Sequence, residues 1–168
     1  MSSFEIEQKY RITEPARIRA LLKKLGAKKI AGGSETNEFF DRGQQLRGKR
    51  IAMRLRKYGK NATLTLKGPR LRSRFTKRLE IETAVDHVLM RKILRLAGFK
   101  VMMRYKKERE LYRLGKSLVT LDRLSRFGWF LEIEGRSQEI AKLGAKLGLS
   151  AKDREERSYL QMMFGYSY

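Results

Sequence analysis

The chain has 168 residues, 41% of them hydrophobic, with two prolines, no cysteine and a formal net charge of +22. This fits one globular domain over residues 1–168 and excludes a disordered chain, a disulfide framework, a thiolate metal site and a cysteine nucleophile. No run approaches the ~18 apolar residues of a membrane span, so no membrane partner is expected, while the positive field favours polyanions. The opening MSSFEIEQ has no basic-then-apolar leader, so a cytoplasmic location is expected.

In FEIEQKYRI (4–12), Glu5, Glu7, Lys9 and Arg11 alternate with Phe4, Ile6, Gln8, Tyr10 and Ile12, the period of a half-buried strand. Thr13 is the expected cap of a helix with Pro15 in its first turn, Ile18, Leu21, Leu22 and Leu25 inward, and Gly26 at its end. A short strand is expected at 35–42, then a polar connection. Segments 51–59 and 61–69 form a hairpin turning at Gly59-Lys60, and 76–83 is another alternating strand. Asp86 caps a helix with Leu89, Ile93 and Leu96 on one face and Gly98 after it. Strands at 101–114, 117–124 and 129–135 follow. A helix from Ser137 turns Ile140, Leu143 and Leu147 inward, and another from Ser150, with Asp153 in a capping box, carries Tyr159, Leu160 and Met163. About eight strands and three or four helices make an α+β chain dominated by antiparallel sheet.

Charged residues sit at alternate strand positions. The acidic set is Glu5/Glu7, Glu80/Glu82, Asp122 and Glu132/Glu134; the basic set is Lys9, Arg54/Arg56, Lys67, Arg78 and Lys107/Arg109. Paired glutamates about 7 Å apart on one strand face repel and run against strand propensity. A bound divalent cation relieves them, because carboxylate oxygens suit Mg²⁺ and Mn²⁺. Arginine forks and lysine ammonium groups suit a polyphosphate. Closing the sheet with its charged face inward makes a polar tunnel for metal plus triphosphate.

The E-x-E-x-K of Glu5-Ile6-Glu7-Gln8-Lys9 resembles the signature of the CYTH superfamily, the triphosphate tunnel metalloenzymes. The likeness continues through Arg54-x-Arg56, Lys67, Glu80-x-Glu82, Lys107-x-Arg109, Asp122 and Glu132-x-Glu134, seven elements in order. It implies an eight-stranded antiparallel β-barrel with helices packed outside. By that resemblance Glu5, Glu7, Glu132 and Glu134 are metal ligands, with Glu80 and Glu82 as further candidates, for Mg²⁺ or Mn²⁺. Lys9, Arg54, Arg56, Lys67, Arg78, Lys107 and Arg109 grip the triphosphate, and Lys9, Lys107, Arg109 and Asp122 are the catalytic candidates. SYLQMM (158–163) is similar to the SY-x-E-L-L ending of class IV adenylate cyclase-like members, with Gln161 in place of the usual Glu. The implied substrate is ATP, cyclised to cyclic AMP and pyrophosphate, or tripolyphosphate or thiamine triphosphate in a triphosphatase.

A different class, a basic module binding nucleic acid or polyphosphate nonspecifically, competes for the same charge. Carboxylates interleaved on the strand faces oppose it, because they repel a phosphate backbone. Lys23, Lys24, Lys28, Lys29, Lys49 and Arg50 lie outside the tunnel set and leave room for it. The sequence is compatible with a homodimer. His87, the single histidine, is expected in solvent; Trp129 reads as packing at a strand start or as an adenine stack, and Phe39, Phe40 and Tyr58 as core or rim. The basic run GPRLRSRFTKR (68–78) fits a solvated loop or a lid over the triphosphate.

Overall fold

The computed structural model describes residues 2–165, with side chains from Phe4 onward. Its strands are β1 (Ser2–Ile12), β2 (Lys28–Asp41), β3 (Ala52–Tyr58), β4 (Asn61–Lys67), β5 (Thr76–Ala84), β6 (Lys100–Leu114), β7 (Ser117–Leu124) and β8 (Gly128–Glu134). All pairs are antiparallel, and the sheet closes as β1-β5-β4-β3-β2-β6-β7-β8. The helices are α1 (Pro15–Lys24), α2 (Gln45–Gly48), α3 (His87–Leu96), α4 (Ser137–Lys146) and α5 (Tyr159–Phe164).

Register turns the charged alternation into a tunnel. Glu5 lies opposite Arg78, Glu7 opposite Glu134, Lys9 opposite Glu132, Lys67 opposite Glu80, and Arg109 opposite Asp122. Polar side chains thus meet polar ones around the ring. A one-residue slip in any strand would throw its whole charged set onto the greasy outer face. That outer face holds the main core: Tyr10, Val119, Leu131 and Ile133 of the wall pack with Ile18 and Leu22 of α1, Ile140 of α4 and Leu147 just after it. Each fully buried aliphatic side chain contributes roughly 1.5–3 kcal/mol. Phe40 and Leu55 form a second core with Leu94 of α3. Helix α5 packs across one end of the barrel, where Tyr159 and Leu160 meet Phe39, Met103, Tyr105 and Phe130.

Several local expectations change. Thr13 is not a cap: α1 enters through Glu14 without a side-chain capping bond, and Pro15 takes the first turn. The strand expected at 35–42 begins at Lys28, because the long β6 pairs with its Gly-containing first half despite a register shift between Lys29 and Ala31. The polar connection contains α2, fastened by Asp41, whose carboxylate accepts the amides of Arg42, Leu46 and Arg47. Ser150 and Asp153 do form a capping box, but around a single 3₁₀ turn (Ala151–Asp153). Arg154 then bridges to Tyr10 in extended form, and α5 starts later, capped by Ser158.

In α3 the expected face of Leu89, Ile93 and Leu96 points to solvent, 61%, 56% and 82% exposed. Asp86 does cap the helix. What turns the helix is the buried Glu38 on the outer wall of β2, which pairs with Arg91 and Arg104 and lies 4.0 Å from His87 Nε2. His87 is therefore half-buried beside that carboxylate, outside the barrel. The basic run 68–78 leaves 71–74 exposed, as a solvated loop would, and is anchored on either side: Phe75 is buried in the core beside Tyr10, and Arg70 Nη1 donates to the Glu156 carbonyl.

Candidate active site

The barrel encloses a cavity of about 910 Å³. Every acidic and basic residue singled out from the sequence lines it except Asp122, which lies fully buried behind Lys107 and Arg109. The floor is aromatic, from Phe39, Tyr105 and Tyr159, and the other end is lined by Tyr58, Asn61, Ala84, Leu111 and Leu118. Trp129 lies outside the cavity lining, flanked by the guanidinium groups of Arg19 and Arg123.

Two ionic groups divide the wall. On β1, β3, β4 and β5, Lys67 Nζ reaches Glu5 at 2.7 Å and Glu80 at 2.6 Å. Arg56 pairs with Glu82 at 2.9 Å, and Arg54 lies 3.7 Å from the same carboxylate. On β2, β6, β7 and β8, Arg109 forks onto Asp122 at 2.7 and 2.6 Å and reaches Glu132 at 2.8 Å. Lys107 Nζ lies 2.9 Å from Asp122 and 3.4 Å from Glu35. Lys9 sits between the groups, 3.7 Å from Glu132 and donating to the Arg157 carbonyl at 2.9 Å. Arg78 is buried, and its Nε has no hydrogen-bond partner among the described residues.

Glu35 is a member that the sequence reading left out. It is fully buried and receives the Asn37 amide at 2.9 Å. Burial alone would raise its carboxyl, but Lys107, Arg109 and Arg54 hold it at about 2. Its clue was ordinary alternation: Glu35, Asn37 and Phe39 share one face of β2. Thr63, Thr65 and Tyr159 were also missed; Thr65 donates to Glu82 at 2.6 Å and Thr63 accepts from Arg56 at 3.2 Å.

The acidic mouth behaves differently. Glu134 reaches solvent, yet partial burial in the wall, then the carboxylates of Glu5 and Glu7, push it up to about 7. Burial also raises Glu5, despite Lys67. Among the described residues no three carboxylates or imidazoles converge closely enough to hold a metal ion as they stand. The donors nonetheless fit a hard divalent cation in chemistry: Glu7 and Glu134 face each other in register, and Glu134 binds a proton more tightly than an ordinary carboxylate because of its burial and then the nearby Glu5 and Glu7 carboxylates. Glu5 would join them by exchanging Lys67 for the ion.

The CYTH domain model matches residues 3–159. The chain belongs to the CYTH family. A Methanocaldococcus jannaschii protein with a provisional adenylate cyclase name is 28% identical over 94% of this chain and 97% of its own length. A Vibrio parahaemolyticus structure with the same provisional name superposes with a TM-score of 0.84 at 24% identity, over 97% of this chain and 99% of that one. A Hippeastrum protein described as having a dominant triphosphatase activity aligns with a TM-score of 0.72 at 19% identity, over 96% and 95% of the two chains. The eight-stranded closed barrel is thus a fold shared with these two solved structures.

Proposed function

We propose that this CYTH protein is a divalent-metal-dependent enzyme that converts ATP to cyclic AMP and pyrophosphate. The observation that carries the metal dependence is charge balance inside the tunnel. Among the described residues, nine basic side chains line the cavity (Lys9, Arg54, Arg56, Lys67, Arg78, Lys107 and Arg109 from the strands, Lys60 and Arg70 from the connections) against eight acidic ones, the seven lining the cavity plus Asp122 behind them, so bases exceed acids by only one. Despite the chain's +22, the tunnel by itself cannot neutralise a triphosphate, and additional cations are needed.

Glu7 and Glu134, with Glu5 and Glu132, would hold Mg²⁺ or Mn²⁺, and Glu80 and Glu82 form a second acidic group in the tunnel. The ion, when bound, supplies Lewis-acid stabilisation of charge on phosphate oxygens. The protein's part is donor placement: Arg54, Arg56, Lys67, Arg78 and Arg109 aim fixed N–H groups into the cavity, and Lys9 and Lys107 add point charges near its floor. Such groups orient the α-phosphorus toward the ribose 3′-oxygen so that pyrophosphate leaves in line. The cavity exceeds what a triphosphate fills, and Leu111, Leu118 and Ala84 offer apolar surface for a nucleoside. The adenylate cyclase name of the 28%-identical archaeal relative supports this order of preference.

A second reading, hydrolysis of tripolyphosphate, thiamine triphosphate or a nucleoside triphosphate, is favoured by the triphosphatase description of the Hippeastrum neighbour. One experiment separates them. ATP, GTP, thiamine triphosphate and tripolyphosphate are each incubated with Mg²⁺ or Mn²⁺ and the products resolved. Cyclic AMP with pyrophosphate supports the cyclase, ADP with phosphate the triphosphatase. No turnover of any of them, with salt-sensitive retention on nucleic acid, overturns both.

A further inference from the structure

Tyr159 lies outside the charged pattern, yet it touches more of the tunnel's machinery than any motif residue on its own helix. It is the first residue of α5, 6% exposed, and its ring packs edge-on against Phe130 and Tyr105. Two ammonium groups rest on that ring: Lys9 Nζ lies 4.1 Å and Lys107 Nζ 4.6 Å from its centroid. Its hydroxyl donates to Asp122 Oδ2 at 2.8 Å, the same oxygen that holds Lys107 at 2.9 Å.

These contacts matter most for Lys9. Its ion pair with Glu132 is loose, at 3.7 Å, and its one short hydrogen bond goes to the Arg157 carbonyl, two residues before Tyr159. The other tunnel lysine, Lys67, is clamped by two carboxylates within 2.7 Å and needs no such seat. An aromatic face attracts a cation without competing for its N–H donors in the way a carboxylate does. Ammonium groups seated this way keep hydrogen-bonding capacity for an incoming phosphate. We propose that Tyr159 is a positioning residue for the Lys9 and Lys107 ammonium groups, so that the C-terminal helix tunes turnover as well as covering the barrel end. This rests on the triphosphate reading.

Donor placement affects the transition state more than ground-state affinity here, because Arg54, Arg56, Arg78, Arg109 and Lys67 remain to bind the polyanion. Tyr159→Leu should therefore lower kcat for the preferred triphosphate by on the order of tenfold to a hundredfold and leave KM within about threefold. Tyr159→Phe keeps the ring and should recover kcat to within about threefold of the parent. A residue that merely fills the barrel end would lower the melting temperature of the Leu variant without this kcat-specific loss. Ring currents give a readout independent of activity. In wild-type protein, the side-chain ε-proton resonances of Lys9 and Lys107, assigned by substituting each lysine, should be shifted upfield, and Tyr159→Leu should abolish the shift. Unshifted lysines in the parent, an unchanged kcat in the folded Leu variant, or a Phe variant as slow as Leu would each overturn the proposal. If the parent turns over no triphosphate with either metal, the triphosphate reading fails, and the lysine spectra alone decide the positioning.

Discussion

Glu134 and Glu35 are both tunnel carboxylates, but their neighbours push them in opposite directions. Glu134 is partly buried and faces other acids, which together raise it from 4.5 to about 7, so ionising it costs the fold stability progressively as pH rises through that interval. Glu134→Gln removes that cost. Metal-free, the variant should melt above wild type at pH 8 and coincide with it near pH 4, where both side chains are neutral, as followed by thermal unfolding. It should also lose activity with Mg²⁺ and Mn²⁺, since a neutral amide is a poor substitute for a charged ligand to a hard cation. Full activity would remove Glu134 from the site. Glu35 is the converse, an anion buried among Lys107, Arg109 and Arg54. Glu35→Gln leaves those cations under-compensated and should destabilise by about 3–5 kcal/mol in denaturant titrations, with tripolyphosphate restoring part of the loss. The sequence reading found the paired acids because E-x-E repeats are conspicuous. It passed over Glu35 because a single Glu beside Thr36 and Asn37 looks like any polar strand start, and only closure of the barrel puts it at the centre of the basic group.

Strands were more legible than helices, for a physical reason. Alternation has two faces, and in β1, β3, β5 and β8 one carries most of the charge, so inward and outward are assigned as soon as the tunnel is recognised; β6 is charged on both faces, and only the Lys107-x-Arg109 match points its tunnel side inward. Helix α3 has apolar side chains on both faces, Met90 and Leu94 against Leu89, Ile93 and Leu96, and its orientation depends on a distant partner, Glu38. Helix α1 has a comparable anchor. Arg19 donates to Glu110 of β6 at 2.8 and 3.0 Å, and Lys29 and Tyr112 converge on the same carboxylate. Hydrogen bonds from Arg19 first, then from Tyr112 and Lys29, outweigh burial and lower Glu110 from 4.5 to about 2. A depressed carboxylate stabilises fully above its unfolded-state pKa and loses that contribution as pH falls through the folded one. Glu110→Gln should therefore melt below wild type at pH 7, and the two curves should converge as pH approaches about 2. Melting curves that stay parallel down the pH series would show that packing of Ile18 and Leu22, rather than this ion cluster, fixes α1.

At the scale of the whole molecule, two kinds of positive charge coexist. The tunnel strands are almost balanced, so most of the +22 is spread over loops, helices and outward strand positions. That outer field can hasten encounter with a polyanion, but it acts through water and salt screens it beyond about 10 Å at 0.1 M ionic strength. Arg56 and Arg109 are different: each is held by carboxylates inside the wall, at 2.9 Å from Glu82 and 2.6 Å from Asp122, where ions penetrate little. Arg56→Ala or Arg109→Ala should cut kcat/KM for the preferred triphosphate by on the order of tenfold to a thousandfold. The deficit should persist in about 0.5 M salt, because removing a fixed donor is not a screening effect. Changing Lys23 and Lys24, exposed at the end of α1, to Ala together should produce a small deficit that high salt abolishes. Rates measured across a salt series distinguish the two classes by slope as well as size. Equal damage from both pairs, erased by salt in each case, would make the protein a diffuse polyanion binder, and the assignment of the tunnel as a triphosphate site would have to be abandoned.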